Sequence, residues 1–174
     1  MRRILLALAL CLAFTAVQAH DSDDDNNSGG DISHVNGGIT AEAGQHYGDL
    51  DTVNGGISLE KGSVVGKVET VNGGITIQQT EVGGKIDTVA GDITIGADSI
   101  VHGGVLVEKP NHSGWNWGFG KPRNPRIVIG PNAVVEGELR FEREVELYVH
   151  STAKIGKVTG ATVHTFTDTV PARD

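Results

Sequence analysis

The phrase Val71-Asn72-Gly73-Gly74-Ile75-Thr76 constrains this chain more than any other feature. It recurs at an offset of 18 residues as Val53-Asn54-Gly55-Gly56-Ile57-Ser58 and Val35-Asn36-Gly37-Gly38-Ile39-Thr40, then in degraded form as Val89-Ala90-Gly91-Asp92-Ile93-Thr94. A fixed short period means that one structural unit stacks on the next. The columns around the phrase keep their chemistry: Gly30, Gly48, Gly66 and Gly84 open the units, and Ile32, Leu50, Val68 and Ile86 follow two residues on. After these come Ser33, Asp51, Glu69 and Asp87, then His34, Thr52, Thr70 and Thr88. Aliphatic and polar residues alternate within a unit, as in Ile75-Thr76-Ile77, which is the period of a strand with one buried face. No stretch carries helical spacing.

An Asn-Gly pair between strand-like runs also signals a two-residue hairpin, so an antiparallel meander is the rival arrangement. A meander does not force the same residue into the same column at every repeat. A β-solenoid does, because each coil lies on the one before with like residues ~4.8 Å apart. The expected fold is therefore all-β, a single-stranded β-solenoid, taken as a right-handed parallel β-helix. Asn36, Asn54 and Asn72 would form an amide ladder at one corner, with Gly37, Gly55, Gly73 and Gly91 beside them supplying positive φ.

Beyond the fourth unit the register shifts. Ile93-Thr94-Ile95-Gly96-Ala97-Asp98 through Val105 is echoed by Ile127-Val128-Ile129-Gly130-Pro131-Asn132 through Leu139, at an offset of 34 residues. The excess over 18 places an insertion at residues 109–126. A further coil starts near Leu147-Tyr148-Val149 and runs to Val163. Six to seven coils result, a rod of ~30 Å. The solenoid is expected over residues 30–165, with 166–174 as a tail or cap.

The N-terminus reads as a secretory signal over residues 1–19: Met1-Arg2-Arg3, an apolar run from Ile4 to Leu12, and the small-residue site before His20. The run is too short for a membrane-spanning helix, which needs ~20 apolar residues. No later stretch looks transmembrane. Cys11 lies within the signal, so the mature chain has no cysteine and no disulfide. Residues 20–29 carry four aspartates and no large apolar side chain, the composition of a disordered leader. After cleavage 12 basic residues face 22 acidic ones, a formal charge of −10 that disfavours nucleic acid and anionic lipid as partners.

The insertion breaks the pattern in composition as well as period. It holds both tryptophans, three of the five prolines and four basic residues, with no acidic one. Trp115, Trp117 and Phe119 alternate, so an extended segment would put three rings on one face. Such a face could stack on sugar rings while Lys121, Arg123 and Arg126 meet an anionic group. The plainer reading folds the rings back over an apolar side of the solenoid, since large exposed apolar patches are rare.

Catalysis has weaker support. The column Asp51, Glu69, Asp87 would stack carboxylates outward, as in solenoid enzymes acting on polysaccharides, but a solvated polar face explains the same residues. His102, His112, His150 and His164 are possible general bases only by residue type. The chain lacks a Walker loop, a zinc-binding Cys/His set and a Gly-x-Ser-x-Gly elbow, so no cofactor and no metal is expected.

With its Val-Asn-Gly-Gly-Ile-Thr columns, the chain resembles the adhesin-type β-helix domains of unknown function found in bacterial envelopes. Over Ile127 to Val158 it is more weakly similar to the bactofilins, right-handed β-helices that polymerise end to end. The resemblance implies a non-catalytic structural or interaction protein in the periplasm or on the cell surface of a Gram-negative bacterium. Its partner would be a second copy, an envelope glycan or another protein. A glycan-binding protein using the Trp-rich insertion is the alternative, and an enzyme on envelope polysaccharide comes third.

Overall fold

The computed structural model describes residues 29–110 and 123–170. Every strand pair in it is parallel, and the strands fall into three sheets that wrap a common interior. The first face is Ile32–Asn36 (β1), Leu50–Asn54 (β3), Val68–Asn72 (β6), Ile86–Ala90 (β9), Val105–Val107 (β12), Leu139–Phe141 (β15) and Val158–Thr159 (β18). The second is Ile39–Ala41 (β2), Ile57–Leu59 (β4), Ile75–Ile77 (β7), Ile93–Ile95 (β10), Arg126–Ile129 (β13), Glu146–His150 (β16) and Val163–Phe166 (β19). The third has shorter strands: Val64–Val65 (β5), Glu81–Val82 (β8), Ile100–Val101 (β11), Val134–Val135 (β14) and Lys154–Ile155 (β17). The chain visits the faces in rotation, which makes a β-solenoid of about seven turns.

The columns read from the sequence are the observed register. Ile32 pairs with Leu50, Leu50 with Val68 and Val68 with Ile86, while Asn36, Asn54 and Asn72 follow one another at the corner. The offset of 34 residues is also real: Ile93 pairs with Ile127, Val101 with Val135 and Val105 with Leu139. The period is less uniform than the phrase suggests. Val65 pairs with Val82 at a step of 17 and Val82 with Val101 at 19; Leu147 pairs with Val163 at 16. A turn that protrudes can gain or lose a residue without disturbing the stacked strands, so the step is set by strand register and not by length.

Alternation buries one side of each strand. Ile57, Leu59, Ile75, Ile77, Ile93, Ile95, Ile127 and Ile129 form two fully buried aliphatic columns behind the second face. Removing each such side chain from water contributes roughly 1.5–3 kcal/mol. At the N-terminal end Tyr47 takes the inward position before this pattern is complete. Its ring packs on the core and its hydroxyl accepts the Glu42 N–H at 3.1 Å. At the other end β19 includes Phe166, one residue beyond the expected limit of the solenoid. Phe166 packs edge-on against buried His150 at 5.1 Å, and His150 Nε2 meets the Thr167 carbonyl at 2.8 Å.

The corner between the first and second faces is where Asn-Gly-Gly lies. Asn54 Nδ2 donates to Asn36 Oδ1 at 3.3 Å and Asn72 Nδ2 to Asn54 Oδ1 at 3.2 Å, so the expected amide ladder is present. Buried Thr52 and Thr70 donate their hydroxyls to the carbonyls of Gly37 and Gly55, tying each coil to its predecessor. The reason for glycine differs from the expected one at two of the four positions. Gly37 and Gly91 have φ of 122° and 154°, but Gly55 and Gly73 are not among the positive-φ residues. There a Cβ would collide with the carbonyl of the coil before, Gly37 O or Gly55 O. Close stacking of backbones excludes a side chain.

Candidate functional site

The insertion enters at this same corner. Coils two to four cross from first to second face through two residues, whereas in the fifth the chain leaves β12 at Val107 and returns at Arg126. Trp115, Trp117, Phe119 and Lys121 lie outside the described residues, as does His112. The stem on its C-terminal side is described in detail.

Asp92 organises that stem. It stands where the earlier copies have their second glycine, one rung before Arg126 in the ladder. Its Oδ1 accepts the Arg126 backbone N–H at 2.8 Å, and its Oδ2 meets the Arg123 guanidinium at 3.2 Å. From the sixth coil Arg143 reaches back, donating to the Val89 carbonyl at 3.2 Å and the Arg123 carbonyl at 3.5 Å. Coils four and six thus both hold the place where the inserted segment rejoins the rod. Side chains that cap backbone N–H groups of the next coil recur elsewhere: Asp31 accepts from Asp49 N and Asp49 from Lys67 N.

Arg123 and Arg126, both expected to face a ligand, differ in the structure. The Arg123 side chain is 70% exposed and touches the rod through Asp92. Arg126 opens β13; its side chain is 14% exposed, sits 4.5 Å from the Tyr148 ring centroid and 3.8 Å from the Glu146 carboxylate. Tyr148 in turn lies beside His164, ring centroids 5.6 Å apart. Arg126 is a packing residue of the second face, because the strand that starts there directs it along neighbouring coils. Asp92, Arg143 and Tyr148 were not singled out from sequence. Only Asp92 left a signal: a carboxylate replacing glycine in the last copy before the period fails.

Farther along the same corner, Glu144, Val145, Gly160, Ala161, Thr162 and His164 line an open depression of about 490 Å³. One edge of the rod therefore carries in succession the amide ladder, the stem of the insertion and this depression.

The acidic column keeps the expected register, with Asp51 opposite Glu69 and Glu69 opposite Asp87, but Asp87 is buried and not on a solvated face. Lysines of the adjoining column answer it. Lys67 Nζ is 2.5 Å from Glu69 and 3.9 Å from Asp51, and Lys85 Nζ is 2.9 Å from Asp87. The bond to Glu69 holds the Lys67 ammonium above its ordinary pKa. Burial pushes the Asp51 and Glu108 carboxyls up, and for Glu108 the nearby Asp87 and Glu142 act in the same direction. Among the described residues no group of three or more His, Cys, Asp or Glu side chains could hold a metal ion, and no helix is long and apolar enough to cross a membrane.

The histidines have separate surroundings. His102 lies between two carboxylates on the third face. His150 is buried, and its Nδ1 accepts from the Thr152 N–H at 3.2 Å, which makes it a structural residue with Nε2 as donor to Thr167. His164 lies tilted against the Tyr148 ring. Among the described residues, the one hydroxyl that meets a ring nitrogen of these three is Thr152 Oγ1, 2.9 Å from His150 Nδ1 within the same turn.

No protein-family model, curated protein or solved structure matches the chain.

Proposed function

We propose that the chain is an exported, non-catalytic interaction module of the bacterial envelope, an adhesin-like β-solenoid. Its working edge is the corner between the first and second faces. One observation carries this reading: the largest departure from the repeat falls on this corner, where Asp92 and Arg143 hold the stem of the aromatic insertion from the coils on both sides. A rod whose core is regular throughout has no structural need for 15 or more extra residues at one corner, and long insertions on rigid scaffolds commonly serve recognition. The stacked carboxylates of the first face are paired with lysines, which supports a structural ion-pair network over a catalytic site.

The partner belongs to the envelope and meets the rod side-on, reading the segment that the stem presents. The test uses the full mature chain and a variant in which residues 111–122 are replaced by a short Gly-Ser linker. Both are applied to isolated cell-wall sacculi and to whole envelope membranes. Retention by either material that disappears in the variant is the expected result, and equal retention of the two proteins overturns the proposal. Competition by soluble cell-wall fragments would identify a glycan partner, and loss of retention after protease treatment of the membranes a protein one. Light scattering of both chains separates these outcomes from self-association. Export is checked apart from binding, by fractionation and N-terminal sequencing, which should begin at His20.

A further inference from the structure

The third face has the shortest strands of the solenoid, two residues each, and so has few ladder hydrogen bonds per coil. Across it His102 is set between two carboxylates from different coils. Its Nε2 is 2.9 Å from Glu81 Oε1 in β8, and its Nδ1 is 2.9 Å from Glu136 Oε2 just after β14. His102 itself follows β11, the strand between them, because Val82 pairs with Val101 and Val101 with Val135. The column runs Gly83, His102, Glu136, Gly156, so a glycine on either side leaves the imidazole and Glu136 space to lie along the surface.

A neutral imidazole has one N–H and can donate to only one of these carboxylates. Both bonds are made together only by the imidazolium. We infer that His102 is a proton-operated staple that locks the third, fourth and fifth coils together when charged and releases one of them when neutral. The other charged groups near it leave this assignment unchanged. Lys154 of β17 shares the column of Glu81, Ile100 and Val134 but stands three rungs from Glu81. Lys85 is engaged with Asp87, and Glu138 with Lys157 and Thr159. The two carboxylates raise the His102 pKa above its ordinary value, chiefly through the hydrogen bonds to Glu136 and Glu81.

The sign of the effect follows from linkage. A histidine with a raised folded-state pKa binds its proton more tightly in the native chain. Its stabilisation is fully present below the unfolded value of ~6.5 and is lost as pH rises through the higher folded value. The staple therefore closes in mildly acidic medium and opens toward alkaline pH. Because the site is at the surface, its effect is local and salt-sensitive.

Two measurements test this. In an NMR titration of the full chain, the His102 ring should titrate above ~6.5, with protons on both nitrogens below the midpoint. The Glu81→Gln/Glu136→Gln double variant should bring the midpoint down. Separately, hydrogen exchange corrected for intrinsic rate is followed at the Ile100, His102 and Glu136 amides, which donate to Thr80, Val82 and Val101. Their protection should fall by about two- to fivefold between roughly pH 6 and pH 8.5, the range of an exposed charge pair. That change should vanish in His102→Gln. A midpoint at or below ~6.5, a midpoint unmoved in the double variant, or the same pH dependence in His102→Gln overturns the inference.

Discussion

The same corner of the rod is built in two ways. In the first three coils it closes through Asn-Gly-Gly, with an amide ladder outside and backbone stacked on backbone inside. At the junction of the fourth and fifth coils the amide is Ala90, the second glycine is Asp92, and charge takes over from neutral hydrogen bonds. The regular version is self-templating, since each amide needs only an identical amide one rung away. The interrupted version joins unlike residues from three coils, and so it can terminate the ladder and fix a foreign segment at the same time.

Four substitutions press on that difference. Gly73→Ala should be the most damaging, because its methyl group has no room against the Gly55 carbonyl. A loss of about 2–3 kcal/mol in urea unfolding is expected from the backbone shift required. A cost below ~0.5 kcal/mol would mean that close backbone stacking does not select glycine here. Asp92→Ala comes next, at about 1–3 kcal/mol, since it strands the partly buried Arg126 N–H and frees Arg123. Hydrogen exchange at residues 123–130 should rise while residues 50–77 stay protected; a uniform rise would sink the idea of a local anchor.

Asn54→Ala removes the middle of an exposed ladder and should cost about 0.5–1.5 kcal/mol. If it matched Asp92→Ala in size and reach, the two corners would not differ as described. The smallest effect belongs to Glu108→Gln, beside the interrupted corner. The folded chain holds the Glu108 proton more tightly than the unfolded chain, so ionisation lowers stability as pH rises through and above the ordinary carboxylate range. Glu108→Gln should therefore raise Tm at neutral pH, by no more than ~2 °C given solvent screening, and the gain should disappear in acid. A gain that persists in acid would point to packing in place of charge.

These contrasts also explain which parts of the molecule could be read in advance. Stacking puts position i of each coil on the equivalent position of the next, so columns such as Leu50, Val68, Ile86 and Asn36, Asn54, Asn72 are visible as periodicity. The echo between Ile93 and Ile127 survived the insertion because strands keep register whatever a turn does. The insertion was likewise legible as a break in composition and period. The residues that hold it were not. Asp92 had the form of a decayed repeat, and Arg143 lies 54 residues from the carbonyl it binds.

What the sequence determined by itself is everything that depends on like meeting like: the solenoid, its Asn-Gly-Gly corners, the inward aliphatic columns and the amide ladder. Tertiary structure alone decided the meetings of unlike residues. Coil lengths vary from 16 to 20 residues where no insertion intervenes, and 34 where it does. Offsets of 21 and 34 therefore place Glu81 and Glu136 on His102, and 31 places Asp92 on Arg123. A ladder constrains only the backbone rung, while a charged side chain selects its partner by direction and reach across several rungs. That choice exists only once the coils are stacked.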